Sequence, residues 1–72
     1  MKMKELTATI GDRCRDHRER EGLTQSECAT FAGLDRKTIN RIENNHFSPS
    51  LDTLLRLAIV FGVTGSELIE GI

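Results

Sequence analysis

Two sets of residues in this chain could carry chemistry. The first is Cys14, His17 and Cys28. Cys14 and His17 stand three apart, so on a helix they share a face, and thiolate with imidazole is donor chemistry for zinc. A closed structural zinc site needs four ligands, and the only other histidine, His46, falls beyond the third helix expected below. Cysteine is also a small core hydrophobe. The three residues therefore read as core or core-boundary positions, with no metal and no cofactor expected. A Cys14–Cys28 redox pair would require the two thiols to meet.

The second set is Arg36, Lys37, Thr38, Asn40, Arg41 and Asn44. Long cations and amides are the side chains that hydrogen-bond to base edges in the DNA major groove. Here they crowd a short helix whose apolar edge is only Ile39 and Ile42. Catalytic chemistry has no comparable cluster. The glycines fall at helix ends rather than in a phosphate loop, and no paired carboxylates face a cleft. Ser26, Ser48, Ser50 and Ser66 read as caps or first-turn residues, so no enzyme is expected.

The elements that must position these residues are marked by a repeated pattern, Gly–apolar–(Thr/Asp). It occurs as Gly22-Leu23-Thr24, Gly33-Leu34-Asp35 and Gly62-Val63-Thr64. Gly takes the left-handed conformation past a helix end, the apolar residue packs back, and Thr or Asp caps the next helix. Capping boxes are expected at Thr24–Glu27 and Thr64–Glu67. Asn45 reads as a further stop, and Ser48-Pro49-Ser50 opens another helix with Pro in its first turn. Five helices follow, at about 5–21, 25–32, 36–44, 51–61 and 65–70, with no strand-like alternation. The short connection between the second and third helices gives a helix-turn-helix.

The 72 residues suffice for one domain, 1–72, with a thin core. The inward positions are expected to be Leu6, Ile10, Cys14 and His17; Cys28, Ala29 and Phe31 or Ala32; and Ile39 and Ile42. Leu51, Leu54, Leu55, Ala58 and Phe61 follow in the fourth helix, and Leu68 and Ile69 in the fifth. Ile59 and Val60 lie outside the stripe of the fourth helix. With Leu68, Ile69 and Ile72 they form the expected surface of a homodimer. The net charge of −1 gives no bulk attraction to nucleic acid, so the case rests on placement. Asp35 is taken up as an N-cap, and Glu43 lies on the inner edge. That leaves Arg36, Lys37 and Arg41 facing outward without compensating carboxylates. No apolar run approaches a membrane span, and the N-terminus lacks the apolar stretch of a signal peptide, so a cytoplasmic protein is expected.

LTQSECATFAGLDRKTINRIENN followed by SPSLDTLLRLAIVFGV resembles the helix-turn-helix family of phage Cro and repressor proteins, the XRE family. The resemblance runs from about Ile10 to Leu68. It rests on Gln25, Ala29, Gly33, Ile39, Ile42-Glu43-Asn44 and Pro49-Ser50-Leu51. It implies an all-α, lambda-repressor-like fold and a bacterial or phage regulator that binds a (pseudo)palindromic double-stranded operator as a homodimer. In that reading Thr24 and Gln25 touch phosphates, and Arg36, Lys37 and Asn40 read bases. Thr38, Arg41 and Asn44 touch base or phosphate, and Arg18 with Glu43 makes a buried ion pair. Leu23, Asp35 and Arg36 resemble the restriction-modification controller proteins more than the phage repressors. Cys14, His17 and Cys28 replace the family's large aliphatics, Asn45 stands where Gly is common, and His46 and Phe47 occupy a loop that is usually basic. Ile59 stands where a charge is usual. An antitoxin-type, protein-binding helical module is the alternative, but no toxin-binding extension is visible. No small-molecule effector site is indicated.

Overall fold

Helix ends in this protein lie where flanking residues satisfy the backbone groups that a helix leaves open. The computed structural model describes the backbone of residues 3–46 and 48–69, and side chains over the same range from residue 10 onward. These residues form five helices and no strand: α1 (Met3–Arg20), α2 (Gln25–Ala32), α3 (Arg36–Glu43), α4 (Leu51–Phe61) and α5 (Gly65–Ile69). At the start of α2, the Glu27 N–H donates to Thr24 Oγ1 at 3.0 Å and the Thr24 N–H donates to Glu27 Oε1 at 2.9 Å. The same reciprocal pair opens α5, at 3.0 and 3.2 Å between Glu67 and Thr64. Asp35 caps α3 by accepting from the Thr38 N–H at 2.7 Å. Ser50 caps α4 through the Thr53 N–H at 3.2 Å. Pro49, expected inside the first turn of α4, instead lies buried just ahead of the Ser50 cap.

The stops follow the same logic. Gly33 and Gly62 have φ of 70° and 71°, and the next residues, Leu34 and Val63, donate back to the Ala29 and Ala58 carbonyls. Leu34 and Val63 also pack on the core. Asn45 does this without glycine: at φ 61° it turns the chain so that the His46 N–H reaches the Arg41 carbonyl at 2.9 Å. The repeated tripeptide is helix punctuation.

The core takes Ile10 and Cys14 from α1, Cys28, Ala29 and Ala32 from α2, Ile39 and Ile42 from α3, Leu57, Ala58 and Phe61 from α4, and Leu68 from α5. Helix α4 is turned from the expected face. Its inward stripe is the partly buried Leu54 with the buried Leu57, Ala58 and Phe61, spaced i, i+3, i+4, i+7. Leu51 and Leu55, expected inside, are exposed, and Leu57, not expected, is 1% exposed. Ala32 rather than Phe31 turns inward from α2. Leu68, assigned above to a dimer surface, is 1% exposed and belongs to the monomer core. The side chain of Leu6, together with Phe47, Glu70 and Ile72, lies outside the described residues.

His17 sits at the core boundary, stacked on Phe61 with ring centroids 5.5 Å apart and planes 17° from parallel. Burial, and then the charges of Arg20 and Arg13, hold its imidazole below the ordinary value. Arg13 ties α1 to the end of α5, donating from Nε to the Leu68 carbonyl at 2.6 Å and from Nη2 to the Glu67 carbonyl at 2.8 Å. Cys14 and Cys28 are buried free thiols. Burial, and then the Glu43 charge, push the Cys14 thiol up to about 12 and raise Cys28 as well. Thiols so placed are protonated core residues and poor nucleophiles.

Helix α1 passes close to the end of α3 at Gly11, which the sequence reading passed over. A Cβ there would stand 2.5 Å from the Ile42 carbonyl oxygen and closer still to the Asn45 side-chain oxygen. Because one obstacle is backbone, Gly11→Ala must push α1 away from α3. The expected loss in urea unfolding is about 1–3 kcal/mol, the usual range for overpacking. An unchanged or raised midpoint would show that the crossing has room.

Candidate nucleic-acid interface

Helix α3 packs on α2 and α1 through Ile39, Ile42 and Glu43, all buried, which turns its opposite side to solvent. Arg36, Lys37, Arg41 and Asn44 are exposed, and Thr38 and Asn40 are half-buried at the margin. The side chains of Arg36 and Lys37 make no hydrogen bond or close ion pair among the described residues, although the Lys37 charge and backbone N–H act on Asp35. They occupy the first turn of α3, which contains no acid. A helix N-terminus carries partial positive charge and is stabilised by acids, so two cations there oppose the local preference. Such local conflicts are expected where a site serves binding. Asp35 partly offsets them. The bond from the Thr38 N–H keeps its carboxyl below the ordinary value and therefore charged.

Beneath this strip lies a polar network centred on Glu43, whose side chain is 2% exposed. Arg18 grips it with two bonds, Nε to Oε2 at 2.7 Å and Nη2 to Oε1 at 3.0 Å. Arg18 Nη1 also donates to the Leu23 carbonyl at 2.8 Å, fixing the turn that leads into α2. Arg15 adds a long bond to Oε1 at 3.5 Å and one to the Glu43 carbonyl at 3.2 Å. Burial alone would raise the Glu43 carboxyl. The bonds from Arg18, Gln25 and Arg15 outweigh it and hold the group below its ordinary value. No buried side-chain polar atom among the described residues lacks a partner.

The two residues assigned to phosphate contact at the start of α2 behave differently. Thr24 is exposed, and its hydroxyl is engaged in the capping box. Gln25 is half-buried and bonded at both ends of its amide: Nε2 donates to Glu43 Oε1 at 3.2 Å, and Oε1 accepts from Asn40 Nδ2 at 3.3 Å. Asn44, the C-cap of α3, donates from Nδ2 to the Asn40 carbonyl at 2.8 Å. Sequence reasoning missed Arg15, although its place three residues before Arg18 puts it on the same face of α1. It also missed the link from Gln25 to Asn40, for which no sequence signal exists.

The profile of the family described as Helix-turn-helix matches residues 15–68, a span that holds this network and the strip above it. The chain belongs to the helix-turn-helix family. Its relatives include the HTH-type transcriptional regulator PuuR of Escherichia coli K12, 37% identical over 57 residues, or 79% of this chain and 31% of PuuR. The immunity repressor protein of Bacillus phage phi105 is 34% identical over 61 residues, 85% of this chain and 42% of the repressor. The chain thus spans less than half of either relative. Among solved structures, the restriction-modification controller protein C.AhdI of Aeromonas hydrophila superposes with a TM-score of 0.83 at 32% identity, covering 86% of this chain and 94% of that one. The family is one of DNA-binding transcription regulators, not of enzymes. Among the described residues, no helix of this helix-turn-helix domain is long and apolar enough to cross a membrane.

Proposed function

We propose that this helix-turn-helix domain is a sequence-specific DNA-binding transcriptional regulator that sets α3 in the major groove of a pseudopalindromic operator. The observation that carries the reading is the strip at the start of α3, where the Arg36 and Lys37 side chains stand exposed and without a hydrogen bond at a helix end that local stability would leave to acids. Two guanidinium hydrogen bonds to one guanine suit Arg36, and Lys37 and Asn40 reach neighbouring base edges. Thr38, Arg41 and Asn44 lie where base or phosphate contacts are available. Thr24 and Gln25 flank the N-terminus of α2, a place suited to phosphate. The domain performs no reaction and acts by occupancy of its site.

The regulator acts as a homodimer in this reading. Leu51, Leu55 and Ile59 form an exposed apolar strip on α4 at i, i+4, i+8, Leu51 at 71% and Ile59 at 79% exposure. Ile69 adds to the exposed apolar surface on α5, while Val60 is half-buried against the core. Two-fold pairing across this strip would set two α3 helices about 34 Å apart, one turn of DNA. Sedimentation is expected to give a dimer that Ile59→Glu combined with Leu51→Glu converts to monomer. A monomer at high micromolar concentration, or a dimer that survives both changes, would remove this part of the reading.

The experiment for DNA reading is binding of wild type, Arg36→Ala and Gln25→Ala to a site selected from random duplexes and to its single-base variants. Arg36→Ala is expected to lose about 1–3 kcal/mol of discrimination at particular base pairs. Gln25→Ala is expected to weaken binding to every sequence while leaving discrimination at the Arg36 base pairs intact. Unchanged base preference in Arg36→Ala and in Lys37→Ala would mean that α3 is not the reader.

A further inference from the structure

Asn40 lies one turn beyond Arg36 and Lys37 on the outer margin of α3. Its amide has a donor end and an acceptor end, and the two select opposite groups on a base edge. Which end faces outward is decided from inside the protein. The buried Glu43 is a charged carboxylate gripped by Arg18, so it can only accept hydrogen bonds. Gln25 must therefore give it the NH2 end of its amide, as the 3.2 Å bond from Nε2 to Oε1 requires. That turns Gln25 Oε1 toward Asn40, where it needs a donor, and Asn40 supplies Nδ2 at 3.3 Å. One N–H of Asn40 Nδ2 thus holds the NH2 end toward Gln25, and the end that makes no hydrogen bond among the described residues is the oxygen, Oδ1. An isolated surface asparagine would turn either end outward. Here three successive donor–acceptor matches leave one choice.

We infer that Asn40 is a specificity-determining residue that reads a base-edge amine, on adenine or cytosine of the strand it faces, because Glu43 fixes its amide orientation through Gln25. The inference rests on α3 being the groove helix. Gln25 is then a positioning residue in addition to any phosphate contact. The carbonyl oxygens of guanine or thymine in that strand would meet Asn40 Oδ1 acceptor to acceptor.

The test uses the full chain. Sites selected from random duplexes by wild type and by Asn40→Ala identify the base pair at which Asn40→Ala loses preference. At that position the amine is replaced by hydrogen, with purine for adenine or 2-pyrimidinone for cytosine. Wild-type affinity is expected to fall about fivefold to a hundredfold, and Asn40→Ala to be unaffected. Gln25→Met keeps the bulk of the side chain and leaves Glu43 its arginines, so the fold persists while the Asn40 amide turns freely. The amine penalty is then expected to shrink at this one position and persist elsewhere. In the free protein, the Asn40 side-chain NH2 resonances should show contact with Gln25 and shift in Gln25→Met. An undiminished penalty in Gln25→Met overturns the inference, as does a wild-type preference for guanine or thymine in the contacted strand. If Arg36→Ala changes base preference but Asn40→Ala changes none, this inference fails and the reading of α3 stands. If wild type shows no sequence preference at all, both fail.

Discussion

Glu43→Ala is expected to lower the free energy of unfolding by about 3–5 kcal/mol, because it strands Arg18 in a partly buried position with its carboxylate partner gone. Stability for a small domain is on the order of 5 kcal/mol, so the variant should be largely unfolded well below the wild-type midpoint. Replacing both partners, as Arg18→Met with Glu43→Leu, should cost much less, since the one charge that then loses its carboxylate, Arg15, is 42% exposed and open to water. Urea denaturation of the two singles and the double measures the difference. A loss below about 0.5 kcal/mol for Glu43→Ala would place the pair with ordinary surface bridges. The pH dependence has a definite sign. The folded Glu43 carboxyl lies below its ordinary value, where its bonds from Arg18, Gln25 and Arg15 hold it against the opposing effect of burial. Its contribution is therefore complete above the unfolded value and is lost as pH falls through the folded one. Acid unfolding of wild type should show this component, and the Arg18→Met, Glu43→Leu double should lack it.

Leu57→Ala should also be severe, at about 2–5 kcal/mol, the range for emptying a buried leucine site. Leu57 is 1% exposed and touches the shared core of α4 with its neighbours. Leu51→Ala should change monomer stability by no more than about 0.5 kcal/mol, as for surface positions generally. The comparison is best made at a protein concentration where sedimentation shows the chain to be monomeric. A loss at Leu51 equal to that at Leu57 would mean that α4 faces the other way.

The contrast between these two leucines shows where sequence reading reaches its limit. Helix ends were readable because caps are local. Thr24, Asp35, Ser50 and Thr64 each bond a backbone N–H three residues on, and Gly33, Asn45 and Gly62 take left-handed angles for reasons contained in a few residues. The α4 segment LDTLLRLAIVF is apolar on several sides. Its own pattern therefore cannot choose between Leu51–Leu55 and Leu54–Leu57, and packing on α1, α2 and α5 decides. The cationic strip on α3 was readable because Ile39 and Ile42 leave it no other orientation. The internal bonds of Gln25 were not, because Glu43 and Asn40 reach it from 18 and 15 residues away. Gly11 was silent for the same reason: its constraint is the Ile42 carbonyl, visible only once α1 crosses α3.

If α3 enters the major groove, it covers guanine N7, a major-groove atom open to methylation by dimethyl sulfate. Dimethyl sulfate protection mapped on a selected duplex therefore reports whether α3 occupies that groove. Guanine N7 positions are expected to be protected in two clusters about one helical turn apart, with loss of protection at specific guanines in Arg36→Ala. A stably bound duplex whose guanine N7 positions all remain reactive, with protection confined to minor-groove adenine N3, would contradict entry of α3 into the major groove.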